Sequence, residues 1–211
     1  MAAYTRLGFG LLLAAILAAG GCAGSLKQPP AQRAYYLLEA DPGPECAGRP
    51  TLPAVLEVHG LSVSPGFDSR QFVYRLADNS WTTDYYHLFL TDPGGMLTPV
   101  VGGFLAKSRL FATVAGPGLD LDSDYILEGS VTALYGDFRE ADKPQAVVEI
   151  QFFLLDDRGE DNALILEKTY RQAAPLPVKS PEGLARGFDE ALRLCLCNLV
   201  LDMEAALVER R

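Results

Sequence analysis

The sequence predicts an α+β domain: an antiparallel β-sheet with two helices packed on it, one central and one long and C-terminal. Three observations lead there. Between Ala34 and Ala173 most segments alternate apolar and polar residues with a period of two, as strands with one buried face do. Two stretches, after Asp92 and after Ser180, carry apolar residues at helical spacing behind a capping residue and a proline. A chain of 211 residues, 49% hydrophobic and 21% charged, suits one domain with one core.

The chain opens with an address. Arg6 is the only charged residue before Lys27, and Leu7 to Ala19 is an unbroken run of Leu, Ala, Ile, Phe and Gly. That run is shorter than the roughly 20 residues a bilayer-spanning helix needs. Residues 1–21 therefore read as a secretory signal. It closes on Leu17-Ala18-Ala19-Gly20-Gly21-Cys22. This resembles the bacterial lipobox, with Ala19 where the pattern more usually has Leu. The resemblance implies lipidation of Cys22, with acyl chains such as palmitate, and anchoring in a membrane. Ala23, where Asp would signal retention, implies the outer membrane, with the body facing the periplasm. Residues 22–33 are expected to be the lipidated terminus and a flexible tether, and 34–211 a single domain.

Strands follow in order. Ala34–Glu39 is the first and Ala54–Val63 the second, the latter ending before Ser64-Pro65-Gly66. Gln71–Leu76 and Trp81–Leu90 flank Ala77-Asp78-Asn79-Ser80, a hairpin connection. Asp92 and Pro93 then start a helix with Met96, Leu97, Val100, Phe104 and Leu105 on one side. Pro99 conflicts with it, so the helix either kinks there or begins at Thr98. Leu110–Ala115 returns as a strand. Asp124–Phe138 is expected to place Tyr125, Leu127, Val131, Ala133 and Tyr135 on one face. Ala146–Leu155 and Leu164–Ala173 follow across Asp156-Asp157-Arg158-Gly159, and short connections predict antiparallel pairing. Ser180 caps the last helix, Pro181 opens it, and it runs to about Glu209.

Four cysteines are present; with Cys22 lipidated, Cys46, Cys195 and Cys197 remain. Cys195 falls on the apolar face of the last helix, and Cys197 with Arg186, Glu190 and Arg193 on the exposed face. Export permits disulfides. Two readings stand side by side: a Cys46–Cys197 bridge, or three unpaired thiols with Cys195 a small core residue. Cys-x-Cys alone supplies too few ligands for a metal site.

The net charge is −9, and removing residues 1–21 takes only Arg6 from it, leaving −10. Such a chain lacks the basic excess that nucleic acid requires. Two histidines, His59 and His87, leave little room for histidine chemistry, and both read as packed or satisfied surface residues. Gly94-Gly95 lacks the lysine of a phosphate loop, and no Gly-x-Ser-x-Gly elbow occurs. Asp120, Asp122 and Asp124 lack the spacing of a calcium loop. No catalytic residue, metal or cofactor is expected. Trp81, Tyr85 and Phe89 should share one side of their strand and Tyr86 the other. Because Tyr and Trp favour interfaces, Phe67 and Arg70 in the Pro65–Arg70 loop, with Asn79 and Trp81 at the hairpin tip, are candidate partner contacts.

Several of these features recur in order: Cys22, a tether, Tyr35-Tyr36-Leu37-Leu38, Leu56-Glu57-Val58, Pro65-Gly66-Phe67-Asp68 and Phe72-Val73-Tyr74-Arg75. Then come Trp81, Met96-Leu97-Thr98, Leu110-Phe111-Ala112-Thr113-Val114, Asp124-Tyr125-Ile126-Leu127-Glu128-Gly129 and a long C-terminal helix. So ordered, the chain resembles the ABC-type transport auxiliary lipoprotein component family. That resemblance implies a non-enzymatic docking component of a lipid transport system. Its partners would be a mammalian-cell-entry (MCE) domain protein and the associated ABC transporter components. Phospholipid as a ligand and a homo-oligomer are compatible with it. A periplasmic lipid carrier and an envelope-assembly lipoprotein are the rival readings. A carrier needs an apolar cavity between sheet and helices; docking needs a filled core and an exposed apolar patch.

Overall fold

The computed structural model describes residues 32–46, 52–119, 121–159 and 161–209. The signal, Cys22, most of the tether and Asp120 lie outside the described residues. Among the described residues nine strands form one sheet: β1 (Ala34–Tyr36), β2 (Leu52–Val58), β3 (Ser62–Val63), β4 (Gln71–Ala77), β5 (Ser80–Phe89), β6 (Phe111–Ala115), β7 (Tyr125–Asp137), β8 (Gln145–Asp156) and β9 (Ala163–Pro175). Two helices, α1 (Pro93–Ser108) and α2 (Pro181–Val208), pack on it. The α+β class with a central and a C-terminal helix is as the sequence predicts.

The sheet itself is mixed, which corrects the antiparallel expectation. Neighbours joined by short turns do pair antiparallel: β4 with β5, β7 with β8, and β8 with β9. The long strand β7 is the spine. One of its edges carries β8; the other receives β2, β3 and β4 in succession, all parallel to it. β6 and β1 then add in parallel to β2 and β5. Parallel neighbours need crossover connections, which α1 and the long loops supply. What reads as one strand over Ala54–Val63 is two, β2 and β3. Between them the His59 amide still bonds Leu127, while Leu61 turns its N–H to the Thr98 hydroxyl.

Helix starts follow local chemistry. Asp92 accepts a hydrogen bond from the Gly95 amide at 2.7 Å, and Pro93 occupies the first turn, so α1 begins there rather than at Thr98. Pro99 sits inside the helix; beside it the Thr98 hydroxyl donates to the Gly94 carbonyl at 2.8 Å. Gly94 is required sterically, because a Cβ there would lie 2.8 Å from the Leu61 carbonyl oxygen. Arg109 ends α1 with φ of 62° in the left-handed region. Ser180 caps α2 through the Gly183 amide at 3.1 Å. Gly183 admits no side chain, since a Cβ would fall 1.8 Å from the Val178 carbonyl oxygen.

Both helices cover the same face of the sheet. Phe72, Phe89, Leu97, Phe104, Phe152, Phe188, Leu192 and Leu199 are buried there. A second, small cluster lies apart from this core: Val73, Ala133, Tyr135 and Val147, with Phe67 against it. It exists because β7 carries an irregularity between Val131 and Ala133. Upstream, Tyr125, Leu127 and Val131 join the main core; downstream Leu134 does so, and Ala133 and Tyr135 belong to the second cluster. The expectation that all five residues share one face is therefore overturned, since an extra residue in a ladder reverses every later side chain.

A single helical turn, Pro44–Cys46, is tied to α2 by a Cys46–Cys197 disulfide, with Cα atoms 4.9 Å apart across 151 residues of sequence. Cys197 is buried, not exposed as its helical position suggests, because this turn lies over it and Arg193 reaches toward its sulfur. Cys195 is a buried free thiol facing the carbonyls of Tyr170 and Val148, and burial pushes it up to about 12.

Candidate functional site

The face of the sheet away from the helices carries the second cluster, and there the hairpin and a loop converge. The β4–β5 hairpin presents Trp81 near its tip; the loop before β4 presents Phe67. The two rings meet edge-on with centroids 6.1 Å apart. Tyr135 of β7 joins them, stacked on Phe67 at 5.9 Å and edge-on to Trp81 at 4.9 Å. Gly66, Phe67, Val73, Trp81, Thr82 and Thr83 line an open groove of about 630 Å³ beside this trio. Trp81 remains 45% exposed, so a large apolar side chain faces water at the groove.

Cations hold the aromatic rings in place. The Arg75 guanidinium lies 5.2 Å from the Trp81 centroid and donates to the Asp78 carbonyl. Arg171 donates to the Tyr135 hydroxyl at 2.9 Å and to Glu149 at 2.9 Å. Glu149 also accepts from Thr132; burial pushes its carboxyl up, but the bonds from Thr132 and Arg171 outweigh that and hold it below its ordinary value. At the hairpin tip Arg139 bridges Asp78 and Asp137, pinning the β4–β5 turn to the end of β7.

Of the four predicted contact residues, Phe67 and Trp81 are brought together. Asn79 is exposed at the hairpin tip, two residues from Trp81. Arg70 stands elsewhere: its Nε donates to the Phe89 carbonyl and its guanidinium lies 5.4 Å from the Tyr35 ring. Tyr135, Arg75 and Arg171 belong to the site and were not singled out by sequence. The Tyr135 signal was present in the aromatic at the end of a long strand, but the irregularity in β7 concealed its face.

The β5 aromatics also need correcting. Asp84 accepts from the amides of Tyr86 and His87, from the His87 ring and from the Tyr74 hydroxyl, which breaks the ladder between Thr83 and Leu88. Phe89 is consequently buried against Phe72 and Phe188, while Trp81, Tyr85 and Tyr86 are exposed. His59 lies between Glu57 and Glu128 at the surface. Asp124 is structural: it accepts the Val55 amide at 2.8 Å. Glu45, Cys46 and Cys197 are the group of metal-ligand side chains that gathers among the described residues, but two sulfurs bonded to each other offer no thiolate.

The body is α+β with an aromatic groove on the sheet's open face. The chain belongs to the ABC-type transport auxiliary lipoprotein component family, whose sequence model matches residues 35–196. Solved structures agree on the fold. A protein of Xanthomonas campestris superposes with a TM-score of 0.71 at 21% identity, over 84% of this chain and 98% of that one. An uncharacterised protein gives 0.65 at 14% identity, over 82% and 99%. None of the curated proteins matches the sequence.

Proposed function

We propose that this chain is an outer-membrane lipoprotein, anchored through Cys22 and facing the periplasm. There it acts as a non-enzymatic docking component of an MCE-type lipid transport system. Family membership supports a role beside an ABC transporter. The observation that carries docking is the solvent-open groove lined by Phe67 and Trp81, whose rings are backed by buried Tyr135 and held by Arg75 and Arg171. Pre-placed aromatic and arginine side chains are the residues that dominate protein interfaces, because they bury large area at small entropic cost. The rival carrier needs space between sheet and helices. Around Phe72, Leu97, Phe104 and Phe188, all wholly buried, that space is filled; the apolar space beside α1, about 650 Å³ lined by Val58, Leu61, Thr98, Pro99, Gly102 and Val114, is a groove open to solvent. An oxidising periplasm also favours the Cys46–Cys197 bridge as the resident state.

Affinity purification from gently solubilised envelopes of the native host tests the reading. The wild-type chain is expected to recover the ATPase, the permease and an MCE-domain protein. Phe67→Ala with Trp81→Ala should reduce that recovery about tenfold or more, as loss of interface aromatics does. Failure of the wild-type chain to recover any transporter component would contradict it.

A further inference from the structure

A second exposed aromatic patch lies on the same side of the sheet, at its β1 edge. Tyr36 packs against Phe72, so its neighbours Tyr35 and Leu37 face the opposite way, and both are at least half exposed. Tyr35 pairs with Leu88, and the Leu90 amide bonds the Tyr36 carbonyl, which sets exposed Leu90 beside Leu37. Tyr85 is 60% exposed. Arginines thread these rings: Arg33 lies 4.4 Å from the Tyr85 centroid, and Arg70 lies 5.4 Å from that of Tyr35. Asp84, the one carboxylate of β5, is turned to Tyr74 and His87 instead. Tyrosine, leucine and arginine side by side are what the boundary between lipid headgroups and acyl chains accommodates, with rings and aliphatic chains inward and guanidinium groups on phosphate.

We propose that this edge, Arg33, Tyr35, Leu37, Tyr85 and Leu90 with Arg70, rests on the phospholipid surface that holds the protein's own lipid anchor. Two observations choose a bilayer over a protein as the occupant. The first is the reach of the chain. Arg33 is eleven residues beyond Cys22, a reach of at most about 40 Å for any chain of that length. The β1 edge is thus the part of the domain that the anchor keeps nearest the membrane. Contact there is intramolecular in effect, so a patch too weak to bind alone suffices. The second is charge. The whole chain is acidic, yet from Ala23 to Arg33 it carries Lys27 and Arg33 and no acid, and Arg70 adds a third cation at the patch. Anionic phospholipid headgroups attract such a segment.

The inference rests on the lipid-anchor reading, and one experiment separates the two. The chain has one tryptophan, Trp81. Trp81→Phe with Tyr85→Trp moves that reporter to the patch. Each full-length lipidated protein is reconstituted into vesicles of phosphatidylethanolamine and phosphatidylglycerol carrying brominated acyl chains. Bromine quenches only at close approach, so quenching of the reporter at position 85 should exceed that of wild-type Trp81 by about twofold or more. Arg33→Glu with Arg70→Glu, added to the variant that carries the moved reporter, should remove the difference. Vesicle-bound protein with equal or weaker quenching at position 85 overturns the inference and leaves the anchor intact; the patch then faces a protein. Protein that does not associate with vesicles and whose N-terminal peptide bears no acyl mass overturns both.

Discussion

Single residues carry three separable consequences. Closing a loop of 151 residues, the Cys46–Cys197 disulfide should contribute about 3 kcal/mol, with about 5 kcal/mol as the chain-entropy ceiling. Cys46→Ser, or reductant, should lower the melting temperature together; a melt insensitive to both would deny the bridge a stabilising role. Asp189 of α2 accepts the Glu39 amide at 2.9 Å, and burial pushes its carboxyl up to about 6 from 3.8 despite that bond. Between about pH 4 and pH 6 the folded chain keeps a proton that the unfolded chain has released, so stability falls as pH rises through that window. Asp189→Asn keeps an acceptor for Glu39 and should flatten this slope, measured as urea midpoints from pH 4 to pH 7. Trp81→Ala, by contrast, should cost only about 1 kcal/mol, because its half-exposed ring gives up edge-on contacts to Phe67 and Tyr135 and buries little else, while weakening the proposed docking.

Helices and strands differ in how far local sequence specifies them. Gly183→Ala should destabilise by about 2 kcal/mol or more, because the Val178 backbone cannot yield to a Cβ at 1.8 Å. Gly102→Ala and Gly103→Ala meet nothing within 4 Å and should each stabilise α1 by about 1 kcal/mol. Thermal melts of the three variants check both signs. The starts of α1 and α2 were legible because Asp92-Pro93 and Ser180-Pro181 act within one turn. The β4–β5 hairpin and the core face of β8, with Val148, Ile150, Phe152 and Leu154, were legible from turn chemistry and alternation. The parallel docking of β2, β3 and β4 along β7 was not, since it depends on contacts distant in sequence. Nor were the ladder breaks at Thr132 and Asp84, where side-chain bonds to Glu149 and to local amides replace the regular pattern. Phe67 and Trp81 could be named from sequence as candidate contacts; that Tyr135 packs against them could not, because its face depends on the first of those breaks. Arg70 belongs to the β1 edge through its bond to Phe89, at the part of the β4–β5 hairpin whose register is shifted by the second of those breaks.

At the scale of the whole molecule, β5 links the two exposed surfaces. Trp81 lies near its hairpin end, and Tyr85 and Leu90 lie toward the end that pairs with β1. Under the proposal that the β1 edge rests on the bilayer, the hairpin end of β5 points away from it and is accessible to the proposed partner. Helices on the other face close the core and leave the sheet face free for both contacts. The most direct measurement replaces Trp81 with a photoreactive amino acid in the native host and irradiates intact cells, with the same label at exposed Leu201 of α2 as the control. Docking predicts an adduct to an MCE-domain or ABC transporter protein from position 81 and none from 201. The same adducts from both positions, or no transporter adduct from position 81, would contradict it.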